Sequence, residues 1–321
     1  MAKRISLNDA AEMLRGAERA VILCHQYPDG DTLGSGTALC RGLRSLGKRA
    51  AVRCSDQIGP KYRFLFGGLP DDSFEPDLIV STDVADEALL GEPLLSRYGG
   101  KVDLCVDHHA SNTAFAKFCY VDPKSAATCE IIFALLKLLG AEIDAATASC
   151  LYTGVSTDTG CFKYVNTTPT THRIAAELLE KGAPASDIDR AMFDTKSRAR
   201  LDMERRVLDT VRYDCGGKVA IIRITKRMIA ESGAEEDDLD GLSTIPREIE
   251  GVLIGVTLRE KDNGAYKVSL RARPPANAAE ICEKFGGGGH RGAAGCTLNL
   301  PADEAEAQML SAIRTYLEKE K

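Results

Sequence analysis

The sequence predicts an α/β protein: an N-terminal parallel sheet with helices on both faces, a helical linker, and a smaller C-terminal α/β domain with a mixed sheet. Three observations carry this reading. Short apolar runs alternate with helical patterns through the first half. Clusters rich in aspartate and histidine follow directly after those runs. Beyond a long polar helical stretch, the pattern changes to paired strand-like runs around an Asn-Gly turn.

Taken in order, "RAVILCH" reads as a buried strand and "DTLGSGTALCRGLRSLG" as a helix ending at Gly47. "RAAVRC", "DLIVSTDV" and "KVDLCVDHH" read as further strands, and "SAATCEIIFALLKLLG" and "AATASCLYTGVSTDTG" as helices. Strands alternating with helices imply a parallel sheet covered on both faces. From about residue 163 the chain turns helical and polar, as a connecting region would. "EGVLIGVTLRE" and "AYKVSLRAR" then flank "KDNG", where Asn263-Gly264 marks a hairpin turn. The helical "AAEICEKF", the loop "GGGGHRGAAG", the strand-like "CTLNL" and a last helix complete the chain. The expected boundaries are 1–190 for the first domain, 191–214 for the linker and 215–321 for the second.

At 321 residues, 44% hydrophobic and 27% charged, the chain can bury two cores of ordinary size. Its net charge of −6 argues against a broad electrostatic footprint for long duplex nucleic acid. Eleven cysteines without a C-x-x-C pair read as small buried hydrophobes in a reducing compartment. No window approaches the roughly 18 apolar residues of a spanning helix. These features predict a cytoplasmic protein with no membrane partner.

The chemistry concentrates at the ends of the predicted strands. In open parallel sheets, ligands bind beyond the C-terminal strand ends, and "CHQYPDGD", "STDVAD" and "VDHH" all lie there. Singly, each has an ordinary reading: "PDGD" suits a turn, and "DVAD" and "STDTG" each suit a helix cap. Together, Asp29, Asp31, Asp83, Asp107 and Asp158 with His25, His108 and His109 would repel strongly at one sheet edge without a cation. A pair of divalent metals supplies that compensation, and hard oxygen donors with some imidazole suit Mn²⁺ or Mg²⁺. Two ions roughly 3.5–4 Å apart can hold both the attacking and the leaving oxygen of a phosphoryl displacement. The H-x-x-x-D-x-D spacing lets His25 and Asp29 turn toward one ion while Asp31 reaches the other, with Asp83 as the natural bridge.

"VDHHASN" resembles the signature of the DHH phosphoesterase superfamily. "HQYPDGDTLGSG", "STDVAD" and "STDTGCF" resemble its other three motifs, in order, and "GGGGHRGAAG" resembles the glycine-rich loop of the associated C-terminal substrate domain. The first domain is thereby expected to be a DHH domain. The two-domain length and "STDTGCFKYVNTTPTTH" are most similar to the nanoRNase/pAp phosphatase subfamily. The resemblance implies one Mn²⁺ on His25, Asp29 and Asp83, and a second on Asp31, Asp83, His108 and Asp158. It implies that Asp107 orients an imidazole and that His109 reaches the scissile phosphate. It implies a phosphate grip from Gly287, Gly288, Gly289, His290 and Arg271, with Asn112 touching base or ribose. His172 lies outside this cluster and reads as a structural or surface residue.

The implied activity is hydrolysis of oligoribonucleotides of two to about five residues, such as pGpG and pApA, and of pAp to AMP, with Mg²⁺ as an alternative metal. A cleft that excludes longer chains is expected, and a homodimer is compatible with the family. Four alternatives stay open from sequence. They are a cyclic di-AMP phosphodiesterase, a RecJ-like exonuclease, a pyrophosphatase and a non-catalytic nucleotide-binding scaffold.

Overall fold

The computed structural model describes residues 3–319, the side chain of Asp237 excepted. The chain forms two compact units, Met1–Thr195 and Lys196–Lys321.

The first unit is built on six parallel strands: β1 (Lys3–Arg4), β2 (Arg19–Leu23), β3 (Arg49–Arg53), β4 (Leu78–Thr82), β5 (Leu104–Asp107) and β6 (Phe118–Val121). Their spatial order is β1-β6-β5-β4-β2-β3. The central runs are apolar on both faces because both faces are covered. Ile22, Val80 and Leu104 pack against helices α1 (Leu7–Gly16), α2 (Gly30–Ser45), α4 (Thr128–Leu139) and α5 (Ala145–Asp158). Val21, Leu23 and Cys105 face the other way, onto Leu90 and onto Leu94 and Tyr98 of the short α3 (Leu94–Tyr98). Helices α6 (Pro169–Glu180) and α7 (Ala185–Asp189) follow. In α6, His172 stacks on Phe162, with ring centroids 5.3 Å apart.

Glycines set how closely α2 and α5 approach. A Cβ on Gly30 would stand 2.3 Å from Thr157 Oγ1, and one on Gly34 2.5 Å from the Cys150 carbonyl oxygen. A Cβ on Gly154 would lie 2.2 Å from Cys129 Sγ and 2.6 Å from Asp31 Oδ1. The absent side chains draw the start of α2, which carries Asp29 and Asp31, toward the end of α5, which carries Asp158.

The second unit opens with α8 (Arg198–Leu208) and holds β7 (Arg212–Asp214), β8 (Val219–Ile224), β9 (Ile254–Glu260), β10 (Tyr266–Ala272), β11 (Gly288–His290) and β12 (Ala293–Leu298). The sheet order is β11-β12-β10-β9-β8-β7, with only β8 and β9 parallel, so the sheet is mixed as expected. Asn263-Gly264 sits in the turn between antiparallel β9 and β10. Short helices α9 (Lys226–Ser232), α10 (Glu236–Leu239) and α11 (Ile245–Glu248) lie between β8 and β9. Helix α12 (Ala278–Glu283) and the long α13 (Ala302–Lys319) pack on the core face with Val256, Val268 and Leu270. Among the described residues, no helix is long and apolar enough to cross a membrane.

One local expectation changes. "GGGGH" reads as an open loop in the sequence, yet Gly288–His290 is a strand paired to Ala293–Gly295 of β12. Gly287 and Gly289 are glycine for close packing. A Cβ on Gly287 would lie 2.2 Å from the Gly295 carbonyl oxygen, and Gly289 has φ +142° with Ala293 O only 2.6 Å from the Cβ position. Gly288 alone of the three has open space beside it.

Candidate metal centre and phosphate site

The ligand-type side chains of the first unit leave strand or helix ends. His25 follows β2. Asp29 caps the N-terminus of α2, where its Oδ1 accepts the Asp31 and Thr32 N–H groups, each at 3.0 Å. Such a cap fixes the carboxylate and satisfies otherwise unpaired donors. Asp83 follows β4 with φ +62°, a left-handed conformation that costs a non-glycine residue about 1–3 kcal/mol. Asp107 ends β5, and His108 and His109 come next. Asp158 is the last residue of α5.

These residues converge into three groups whose ligand atoms lie within 4.8 Å of one another: His25 with Asp29 and Asp83; Asp31 with His108 and Asp158; and Asp83 with His108 and His109. Asp83 is the hinge of the arrangement. Its Oδ2 lies 3.6 Å from His25 Nε2, while its Oδ1 lies 3.6 Å from both His108 Nε2 and His109 Nδ1. His108 Nε2 is also 3.4 Å from Asp158 Oδ2 and 3.9 Å from Asp31 Oδ2. These separations exceed good hydrogen bonds. They suit donors that share an intervening ion.

The second nitrogen of each imidazole fixes its orientation. His25 Nδ1 meets the Gln26 carbonyl at 2.7 Å and His108 Nδ1 the Ser125 carbonyl at 3.1 Å, which leaves both Nε2 atoms facing the carboxylates. Helix α4 holds two of the buried carboxylates. The Thr128 and Cys129 N–H groups donate to Asp31 at 2.6 and 2.9 Å, and the Thr128 hydroxyl donates to Asp83 at 2.9 Å. Asp31 and Asp83 are thus buried carboxyl groups held at a helix N-terminus, which favours their charged forms.

The electrostatics of the cluster favour a positive counter-charge. Burial pushes the Asp158 carboxyl up to about 7, with His108 opposing the rise and Asp83 and Asp29 adding to it. Burial, with the Asp83 charge, raises Asp29, and burial with Asp83 and Asp158 raises Asp31 further. Burial pushes Asp83 upward too, but the adjacent His25, His109 and His108 outweigh it and hold that carboxyl below its usual range. Burial works against the charge on His25, yet Asp83 and Asp29 lift its pKa to about 9. In addition, Asp158 stands at the negative end of α5, where a carboxylate is unfavourable by about 0.3–1 kcal/mol. A cation at this point relieves all of these repulsions. Nearby Cys24 and Cys129 are thiols that burial pushes well above their usual range, so the donors are oxygen and imidazole. That set fits a hard divalent metal.

Asp107 lies behind the cluster. Its Oδ1 accepts from His109 Nδ1 at 2.8 Å and from the His108 N–H at 2.8 Å. Its Oδ2 accepts from Asn112 Nδ2 at 2.6 Å. The Asp107 hydrogen bond leads the rise of the His109 pKa to about 9. Asn112 is tied into its own loop: its amide also donates to the Val84 carbonyl at 3.1 Å, and its Oδ1 accepts the Ala114 N–H at 2.8 Å.

The remaining expected residues lie together in the second unit. Arg271 is opposite Ala293 on β12, and Ala293 is opposite His290 on β11, so Arg271 and His290 flank one small residue across three strands. Arg271 alternates with the core residues Leu270 and Ala272 and therefore faces away from that core. Among the described residues its guanidinium meets only the Leu270 carbonyl, at 3.3 Å, and no carboxylate. His290 and Gly288 are exposed.

Thr128 escaped the sequence reading, because nothing local ties it to Asp31, 97 residues earlier. Ser269 lies two residues before Arg271 and on the same strand face, by the period-2 alternation of "KVSLRAR".

Comparison with known proteins agrees with both halves of this description. Residues 19–155 match the DHH family, N-terminal domain, and residues 216–319 match the DHHA1 domain. The "Bifunctional oligoribonuclease and PAP phosphatase NrnA" of Thermus thermophilus is 38% identical over 96% of this chain and 93% of its own. The protein of the same name from Bacillus subtilis is 24% identical over 88% of this chain and 90% of its own. An exopolyphosphatase-related protein from Bacteroides fragilis superposes with a TM-score of 0.85 at 26% identity, covering 97% of this chain and 96% of that one. With these two domains in this order and that degree of identity over nearly its full length, the chain belongs to the DHH–DHHA1 phosphoesterase family.

Proposed function

We propose that the chain hydrolyses short oligoribonucleotides to mononucleotides and dephosphorylates pAp to AMP, using one metal centre for both reactions. The observation that carries this reading is Asp83, whose two oxygens face two separate ligand groups. The names of the Thermus and Bacillus relatives give the substrate class.

His25, Asp29 and Asp83 would hold one Mn²⁺, and Asp31, Asp83, His108 and Asp158 the other. Bound divalent metals polarise a phosphoryl oxygen and make a coordinated water acidic near neutral pH. The chain's residues then position and neutralise. The Asp107 carboxylate keeps the His109 ring protonated, so the imidazolium can donate to the phosphate or its leaving oxygen. Thr128 and Cys129 hold Asp31 and Asp83 against rotation. We read the first unit as catalytic and the second as substrate-binding. There, the Arg271 guanidinium, which has no carboxylate partner among the described residues, the exposed His290 and the open backbone at Gly288 grip a phosphate.

A substrate panel tests this: pAp, 5′-phosphorylated RNA of two to twenty-four residues, cyclic di-AMP and pyrophosphate, each with Mn²⁺. Fast turnover of the dimer and of pAp, with the 24-mer much slower, is expected. Turnover of cyclic di-AMP or pyrophosphate alone would overturn the substrate assignment and leave the metal centre standing.

A further inference from the structure

A second arginine stands beside Arg271. Arg247 lies in α11, which packs directly on β9 at Gly255. Gly255 is the cross-strand partner of Arg271. A Cβ at Gly255 would come 2.8 Å from the Arg247 backbone nitrogen and 2.9 Å from Pro246 Cβ. The glycine thus lets α11 sit flush on the strand, one position across from Arg271. Arg247 is half-buried, and among the described residues its guanidinium has no carboxylate and no hydrogen-bond acceptor. Other half-buried arginines of this unit behave differently: Arg200 pairs with Glu204, Arg206 with Asp202 and Arg223 with Glu306.

Two guanidiniums placed together without a counter-charge are unfavourable. Burial, and after it the Arg247 charge, hold the Arg271 pKa below its usual value. An anion between the two relieves that repulsion. The charge of the anion matters. A phosphodiester carries one negative charge, whereas a terminal phosphomonoester approaches two near neutral pH, its second pKa being about 6. Two planar guanidinium forks match such a dianion in both charge and donor number.

We infer that Arg247 is a specificity-determining residue that joins Arg271 to bind a terminal phosphomonoester, so that phosphate-terminated substrates are preferred over hydroxyl-terminated ones. This rests on the reading of Arg271 as a phosphate-binding residue. The preference therefore resides in a residue pair of the second unit, apart from the metal ligands.

The test compares kcat/KM for pApA and for ApA, which lacks the 5′-phosphate, in wild type, Arg247→Ala, Arg247→Lys and Arg271→Ala. A melting curve for each variant serves as the folding control. Loss of one charge-assisted contact corresponds to about a 10- to 100-fold change. The wild-type ratio of pApA to ApA is expected to fall by about that factor in Arg247→Ala, chiefly through KM, and to recover in part in Arg247→Lys. An unchanged ratio in Arg247→Ala, together with a collapsed ratio in Arg271→Ala, overturns the role of Arg247 and leaves Arg271 as the phosphate residue. An unchanged ratio in both variants overturns the inference together with the reading of Arg271.

Discussion

Asp107 Oδ1 accepts a hydrogen bond from His109 Nδ1 at 2.8 Å, and that carboxylate is completely buried. The pair leaves His109 Nε2 as the ring's outward nitrogen. The contact leads the rise of the His109 pKa to about 9. Replacing the anion by an amide should therefore shift the ring back toward 6.5. We predict that Asp107→Asn lowers kcat about 10- to 100-fold and moves the alkaline limb of the pH–rate profile to lower pH. His109→Ala should lower kcat further, by about 10²–10⁴, and remove that limb. Steady-state rates from pH 6 to 10 check both.

The half-buried Asn112 donates to Asp107 Oδ2 at 2.6 Å. Asn112→Ala removes the amide donor from Asp107 Oδ2 and from the Val84 carbonyl, which keeps only the Cys105 thiol at 3.6 Å among the described residues. A hydrogen bond to a charged group contributes about 1.5–3 kcal/mol, so a loss of stability of that order is expected in urea unfolding. The fall in activity should appear in kcat. A rise in KM at unchanged stability would instead make Asn112 a substrate contact.

Gly154→Ala tests whether glycine contacts set the spacing of α2 and α5. The added methyl would press on Cys129 Sγ and Asp31 Oδ1. Overpacking of this kind costs about 1–3 kcal/mol, and Asp31 must move. Lower melting temperature and weaker metal binding should appear together in calorimetry. A variant that loses stability but keeps wild-type metal affinity would separate the packing from the site.

The carboxyl pKa values give the metal-free protein a sign for its pH response. Asp158 titrates near 7 when folded and near 4 when unfolded, so the folded state binds the proton more tightly. That contribution is fully present below about pH 4 and is lost as pH rises through 7. His25 and His109, raised to about 9, contribute stability below about 6.5 that is lost as pH rises through 9. The stability of chelator-treated protein should thus fall from pH 5 to 9. Added Mn²⁺ competes with those protons, so it should raise the melting temperature more at pH 8 than at pH 6. Differential scanning fluorimetry at the two pH values checks this.

Much of this arrangement was legible in the sequence for a physical reason. The central strands β2, β4 and β5 are buried on both faces, so they read as unbroken apolar runs, and polar clusters directly after them had to lie at the strand ends. The edge strands carried less signal. Lys3–Arg4 is two residues long and polar, and it enters the sheet only by pairing with Phe118–Cys119. The glycines after α12 looked like a free loop, because close packing against β12 and an open anion cradle both call for glycine. The clamp that Thr128 places on Asp31 and Asp83, and the position of Arg247 over Gly255, arise from tertiary packing. Neither leaves a local spacing to read.

The central claim is that one centre, hinged on Asp83, serves both the phosphodiester and the phosphomonoester reaction. The most direct measurement takes wild type and Asp83→Ala, and reads metal content per chain alongside hydrolysis of pApA and pAp. The account predicts about two metal ions per wild-type chain, fewer in the variant, and loss of both activities by a similar factor. Retention of either activity in a folded Asp83→Ala protein would contradict it.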